Sequence, residues 1–277
     1  MKILAVETSG QVCGTALLED DRIIAEYNIR YKKTHSQSLV PMMDEMRAMT
    51  ELDLKTVDAV ALTEGPGSFT GIRIGAATAK GLGLALNIPL IPVPTVDALA
   101  YNLFGTSGSV ICPILDARRG QVYTGIYESA DAAGAAGTAH AAESASMEAG
   151  PAAAGSAAGE NERICRQHAL LEQCLVTIDE IAGKLNEIGK PVIFLGDGVP
   201  VCREKIAEIM KVPYSFAPVH LCRQRASSAA ALAMQYYRDR GADCFADADA
   251  FRPTYLRLSQ AERERAAGVD MSRTKAR

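Results

Sequence analysis

Apolar positions fall into short runs at the start of the chain and into helical spacing soon after. Ile3 to Val6 is an apolar run closed by Glu7-Thr8-Ser9-Gly10, and Ala16-Leu17-Leu18 and Ile23-Ile24-Ala25 follow with Asp20-Asp21 between them. Short runs bounded by turn residues predict a hairpin meander. From Ser36 the spacing changes: Leu39, Met42, Met43, Met46 and Met49 recur at three- and four-residue steps, predicting an amphipathic helix with Pro41 in its first turn. Val57 to Leu62 is a strand-length run that enters Glu64-Gly65-Pro66-Gly67-Ser68-Phe69-Thr70-Gly71, and Ile72 to Leu86 continues as a second helix. Pro89 to Val93 predicts another strand and Val96 to Phe104 a helix. Val110 to Leu115 and Val122 to Tyr127 predict a second hairpin around Asp116-Ala117-Arg118-Arg119-Gly120.

A meander followed by strand-helix alternation, and then the same again, predicts an α/β protein of two related lobes with mixed sheets. The first lobe is expected over residues 1–107 and the second over 108–258. Within the second, 129–160 is nearly all Ala, Gly, Ser and Glu, with Met147 its one large apolar side chain, so it cannot offset the entropy of ordering and is expected to be a flexible insertion. Order resumes with a helix over Thr177 to Asn186, a strand over Pro191 to Leu195 with its turn Gly196-Asp197-Gly198, and helices over Val201 to Met210 and Ser227 to Arg240. Residues 259–277 form a polar tail.

The apolar share of 48% supports a normal core, and the formal net charge of -4 argues against a chain that grips nucleic acid unaided. Seven cysteines, an odd number with no Cys-x-x-Cys pair, fit a reducing cytoplasm better than a disulfide framework or a zinc knuckle. The longest apolar stretch, Ile72 to Val93, is interrupted by Arg73, Lys80 and Pro89, and Glu7 stands where a signal peptide needs its apolar run. Neither a membrane span nor an export signal is expected.

Several turns carry candidate chemistry. Glu7-Thr8-Ser9-Gly10 reads as a strand-ending turn with Thr8 and Ser9 bonding the local backbone. Gly65 to Gly71 could offer amides to an anion at a helix N-terminus, or form a tight strand-to-helix junction; it lacks the lysine and hydroxyl pair of a P-loop. Asp116, Arg118 and Arg119 could orient an anionic group or close their own hairpin with an ion pair. His35, just before a helix, reads as a capping or surface residue.

Four segments resemble the TsaB (YeaZ) family: Ile3-Leu4-Ala5-Val6-Glu7-Thr8-Ser9, Gly65-Pro66-Gly67-Ser68-Phe69-Thr70-Gly71-Ile72-Arg73-Ile74-Gly75 with Ala79-Lys80-Gly81, Asp116-Ala117-Arg118-Arg119, and Pro253-Thr254-Tyr255-Leu256-Arg257. The resemblance covers both ordered parts and leaves out the insertion and the tail. It implies the two-lobed actin-like ATPase fold of sugar kinases, Hsp70 and actin, with ribonuclease H-like lobes. It also implies a place in the bacterial complex that makes threonylcarbamoyladenosine beside the anticodon of tRNAs reading codons that begin with adenine. In that family TsaD performs the transfer, this type of chain is its non-catalytic partner, and TsaE, a P-loop ATPase, joins the pair. tRNA is then the substrate of the complex, and the chain alone is expected to form a homodimer.

The TsaD relatives hold a catalytic metal with two histidines at i and i+4 of a helix. Here Val96-Asp97-Ala98-Leu99-Ala100 stands at the corresponding helix and cannot make that site. The resemblance therefore implies no metal or cofactor of the chain's own, with ATP or ADP and magnesium belonging to the complex. It implies a vestigial nucleotide site at Glu7, Thr8, Ser9, Gly196, Asp197 and Gly198. It implies partner binding by the first-lobe helices at Met42, Met43, Met46, Arg73, Ala76, Ala79 and Lys80, although a Met stripe at helical spacing is more often simply core. The rival reading is an ATP-dependent small-molecule kinase of the same fold.

Overall fold

The computed structural model describes residues 1–131 and 165–257. Strands β1 (Lys2–Glu7), β2 (Cys13–Glu19), β3 (Arg22–Ile29), β4 (Ala59–Gly65) and β5 (Leu90–Pro94) form one sheet in the order β3-β2-β1-β4-β5. Strands β6 (Val110–Asp116), β7 (Gln121–Asp131), β8 (Cys165–Thr177), β9 (Val192–Leu195) and β10 (Tyr214–Phe216) form a second sheet in the order β10-β9-β6-β7-β8. Read from its other edge, the second sheet repeats the first. In each, the first strand pairs antiparallel with the second and parallel with the fourth.

The helices repeat as well. α1 (His35–Met49) and α2 (Phe69–Leu86) flank β4, as α4 (Ile178–Ile188) and α5 (Val199–Ile209) flank β9. α3 (Thr95–Ala100) and α6 (Ala226–Arg240) follow the fifth strand of each half. Local signals set these ends. Thr177 and Glu180 form a reciprocal capping box at the start of α4, and Gly189, with φ 73°, closes it in the left-handed region.

The third helix of each half crosses to the other. Val96, Leu99 and Ala100 of α3 pack with Ile111, Leu115 and Tyr127 of the second sheet. Ala226, Ala229, Ala230 and Ala233 of α6 pack on Ile3, Ala5 and Ala16 of the first. This corrects the expected division at 107 and 108: α6 completes the core of the first lobe, because its alanine face at i, i+3, i+4 and i+7 lets the helix lie close on β1 and β2. The chain after α6 also returns there. Ala246 and Leu90 exchange backbone hydrogen bonds at 2.8 and 3.0 Å, and Thr254 N donates to Glu64 O at 2.9 Å.

Of the insertion expected at 129–160, residues 132–160 lie outside the described residues, as does the tail at 259–277. Residues 129–131 are a correction. They extend β7 and pair with 165–167 of β8, whose backbone supplies the ladder partners.

Candidate functional site

The turn after β1 is closed by the chain itself. Glu7, Thr8 and Ser9 are each at most 1% exposed. Glu7 Oε1 accepts from Ser9 N at 2.6 Å and from Ser9 Oγ at 2.5 Å, while Oε2 has no hydrogen-bond partner. Burial raises the Glu7 carboxyl to about 7, opposed by the two bonds from Ser9. Ser68 N, at the start of α2, donates to Ser9 O at 2.6 Å.

The glycines of the Gly65–Gly75 segment explain how α2 comes so near. A Cβ on Gly71 would stand 2.1 Å from Thr8 O, one on Gly67 2.2 Å from Ser9 O, and one on Gly75 2.2 Å from Thr8 Oγ1. Only hydrogen fits at these points, so the glycines are spent on packing against the turn. Glu7, Thr8 and Ser9, expected to face a nucleotide, are thus buried in this arrangement, with Thr8 under Gly71 and Gly75 of α2 and Ser9 under Gly67 and Ser68 just before it.

Gly196, Asp197 and Gly198 come together at the end of β9, against β6. A Cβ on Gly196 would lie 2.2 Å from Ile114 O, and Gly198 N donates to the same oxygen at 2.9 Å. Asp197 Oδ1 accepts from Asp116 N at 3.1 Å. Its carboxyl is pushed up by burial, against the pull of the Asp116 amide and the Arg223 charge. Of the two readings of Asp116, Arg118 and Arg119, the hairpin one has a visible contact: Arg118 Nη1 lies 3.4 Å from Asp116 Oδ2, and Arg118 N donates to Asp116 Oδ1 at 2.7 Å. Arg118 and Arg119 both adopt positive φ, at 65° and 58°.

Asp97 occupies the helix where the TsaD relatives are expected to hold metal. Tyr127 donates to its Oδ1 at 2.6 Å and Tyr236 to its Oδ2 at 3.4 Å, while burial lifts its carboxyl above the usual range. His35, expected to cap or face solvent, instead anchors α1: its Nε2 lies 2.9 Å from Gly10 O.

The expected partner-binding residues divide. Met46 and Ala79 are fully buried and Ala76 is 6% exposed, so these three are core residues of the first lobe, a correction. Met42 and Met43 are half-buried on the same core. Arg73 and Lys80 reach the C-terminal segment. The Arg73 guanidinium lies 3.9 Å from the Phe69 ring centroid and its Nε donates to Tyr255 Oη at 3.2 Å, while Lys80 Nζ donates to Asp249 O at 2.8 Å. The apolar side chains left outward on the two helices are Val40, Met49, Phe69 and Leu84, with Ala77 and Gly81 between the last two. The spacing marked a stripe, yet each helix has apolar residues on two sides, and only the packing separates inward from outward.

The duplicated sheets with crossed third helices define a two-lobed protein of the actin-like class. A family model described as TsaD, tRNA N6-adenosine threonylcarbamoyltransferase, matches residues 22–265. The chain is 30% identical over 266 residues to the tRNA threonylcarbamoyladenosine biosynthesis protein TsaB of Bacillus subtilis (strain 168), covering 95% of this chain and 96% of that protein. It is 34% identical over 129 residues to the protein of the same name from Escherichia coli (strain K12), covering 46% of this chain and 55% of that one. The structure of YeaZ from Pseudomonas aeruginosa shares the fold, with a TM-score of 0.66 at 22% identity over 92% of this chain and 99% of that one. The chain belongs to the TsaB family. Among the described residues, no helix is long and apolar enough to cross a membrane.

Proposed function

We propose that this chain is a non-catalytic subunit of a cytoplasmic complex that forms threonylcarbamoyladenosine in tRNA. It pairs with TsaD through the outward faces of α1 and α2, is joined by TsaE, and self-associates through the same faces when TsaD is absent. The observation that carries the reading is the filled turn: where an actin-like enzyme cradles phosphate, α2 lies on Thr8 and Ser9 through glycine contacts that no larger residue permits. ATP or ADP and magnesium then belong to the complex. Exposed Met49 and Leu84, beside the small Ala77 and Gly81, suit close packing of one helix pair on another.

The test is threonylcarbamoyl transfer to tRNA with this chain, TsaD, TsaE and the donor, each omitted in turn, alongside sedimentation of the pair. Transfer should require this chain only in the presence of TsaD. Met49→Glu combined with Leu84→Glu should abolish association and transfer together while leaving the unfolding midpoint in place. Phosphorylation of a small molecule by this chain alone would sink the proposal in favour of the kinase reading.

A further inference from the structure

Between the end of β3 and the segment that leads into α6 lies a cleft lined by Arg30, His220, Arg223, Gln224 and Arg225, among others. Its charge comes from side chains. The first amides of α6 are already taken: Ser227 N donates to Glu26 Oε1 at 2.9 Å and Ala226 N to Asn28 Oδ1 at 3.5 Å. Arg225 is neutralised by its pair with Glu26. Arg30 has no ion-pair partner among the described residues, whereas the charge of Arg223 acts on Asp197 and one of its terminal nitrogens is buried without a hydrogen bond.

From Arg30 the chain runs on through Tyr31, Lys32 and Lys33, all exposed, before Thr34 caps α1. Tyr31 is 68% exposed, and neither lysine has an ion-pair partner among the described residues. The two walls of the cleft are held to one frame. His35 Nε2 reaches Gly10 O, and a Cβ on Gly10 would stand 2.4 Å from the Gln224 side-chain nitrogen.

Three unpaired cations and a bare aromatic ring therefore form one exposed run leading from the cleft, in a chain whose formal net charge is -4. Such a concentration against the average is what phosphodiester binding requires, and an exposed ring between cations offers a platform for an unstacked base. We propose that this edge contacts RNA directly, with phosphates on Arg30, Lys32 and Lys33 and a base on Tyr31. The proposal rests on the subunit reading above only in taking tRNA as the RNA.

The experiment measures binding of an unmodified tRNA transcript to the complex with TsaD, and to this chain alone, across a salt series. Arg30→Ala with Lys32→Ala and Lys33→Ala should weaken binding about tenfold at low salt and make the slope of log K against log salt shallower by about 2, since each phosphate contact on a single strand contributes about 0.7. Tyr31→Ala should weaken binding about tenfold with the slope unchanged. Wild-type affinity and slope in the triple variant, with the unfolding midpoint retained, overturns the proposal. So does loss of binding to phosphatidylserine vesicles with tRNA binding untouched, which would make the edge a membrane contact. Failure of the subunit reading shows separately, as absence of cosedimentation with TsaD; the chain-alone salt series still decides the RNA contact.

Discussion

Replacing Gly71 and Gly81 by alanine puts the same methyl group on the same helix and should give stability changes of opposite sign. Both lie within α2, where alanine is favoured over glycine by about 1 kcal/mol. At Gly81 nothing stands within 4 Å of the added Cβ, so Gly81→Ala should show most of that gain. At Gly71 the Cβ would meet the Thr8 carbonyl oxygen at 2.1 Å, a backbone atom of a buried turn that cannot rotate away. Overpacking of that kind costs about 1–3 kcal/mol and commonly more when backbone must move, so the net change should be a loss of about 1–2 kcal/mol. In a chain of this size about 1 kcal/mol moves the thermal midpoint by roughly 2 °C. The two variants should therefore separate by about 4–6 °C, with the wild type between them, and urea midpoints should keep the same order. A stabilised Gly71→Ala would refute the argument that α2 rests on the turn through hydrogen-sized contacts.

Glu7 gives a pH prediction. Its folded-state value of about 7 lies above the ordinary 4.5, so the folded protein holds its proton more tightly than the unfolded chain. The resulting stability is fully present below pH 4.5 and is lost as pH rises through 7, up to about 3 kcal/mol. Glu7→Gln should flatten that slope in urea titrations between pH 5 and 8; an unchanged slope assigns it to other groups. Glu26→Ala removes the acceptor of Ser227 N and the partner of Arg225, and should cost about 2 kcal/mol by denaturant unfolding. Met46→Ala should cost about 2–5 kcal/mol, whereas Met49→Ala should stay within about 0.5 kcal/mol, because one side chain is fully buried and the other 70% exposed. Thr177→Ala breaks the capping box of α4 and should cost about 1 kcal/mol.

Most of the elements were legible because their apolar periods are clean, and the repeat of meander and helices announced two lobes. β8 leaves only a weak sequence signal, for a physical reason. It is an edge strand with Arg166, His168, Glu172 and Gln173 among its apolar residues, so half-wet positions blur the alternation. β10 leaves none, because three residues carry no period. α6 was read as a helix, yet nothing local says which sheet its alanines cover. For the site, the glycines of 65–75 were visible as close-approach residues, whereas what they approach, the buried Thr8 and Ser9, is a tertiary fact. The Arg30-Tyr31-Lys32-Lys33 run stands plainly in the sequence, but the net charge of -4 masks it as a local cluster. The signal that could have found it is charge counted by segment.

The crossing of α6 onto the first sheet sets an order of events during synthesis. β1 and β2 are made well before α6, so the inner face formed by Ile3, Ala5 and Ala16 lacks this helix until Ala226 to Ala233 have been made. At about 5–20 residues per second, that face waits on the order of ten to forty seconds. The first lobe is thus finished long after it is begun, and a nascent chain stalled before α6 presents an apolar sheet to whatever chaperone or neighbouring chain reaches it.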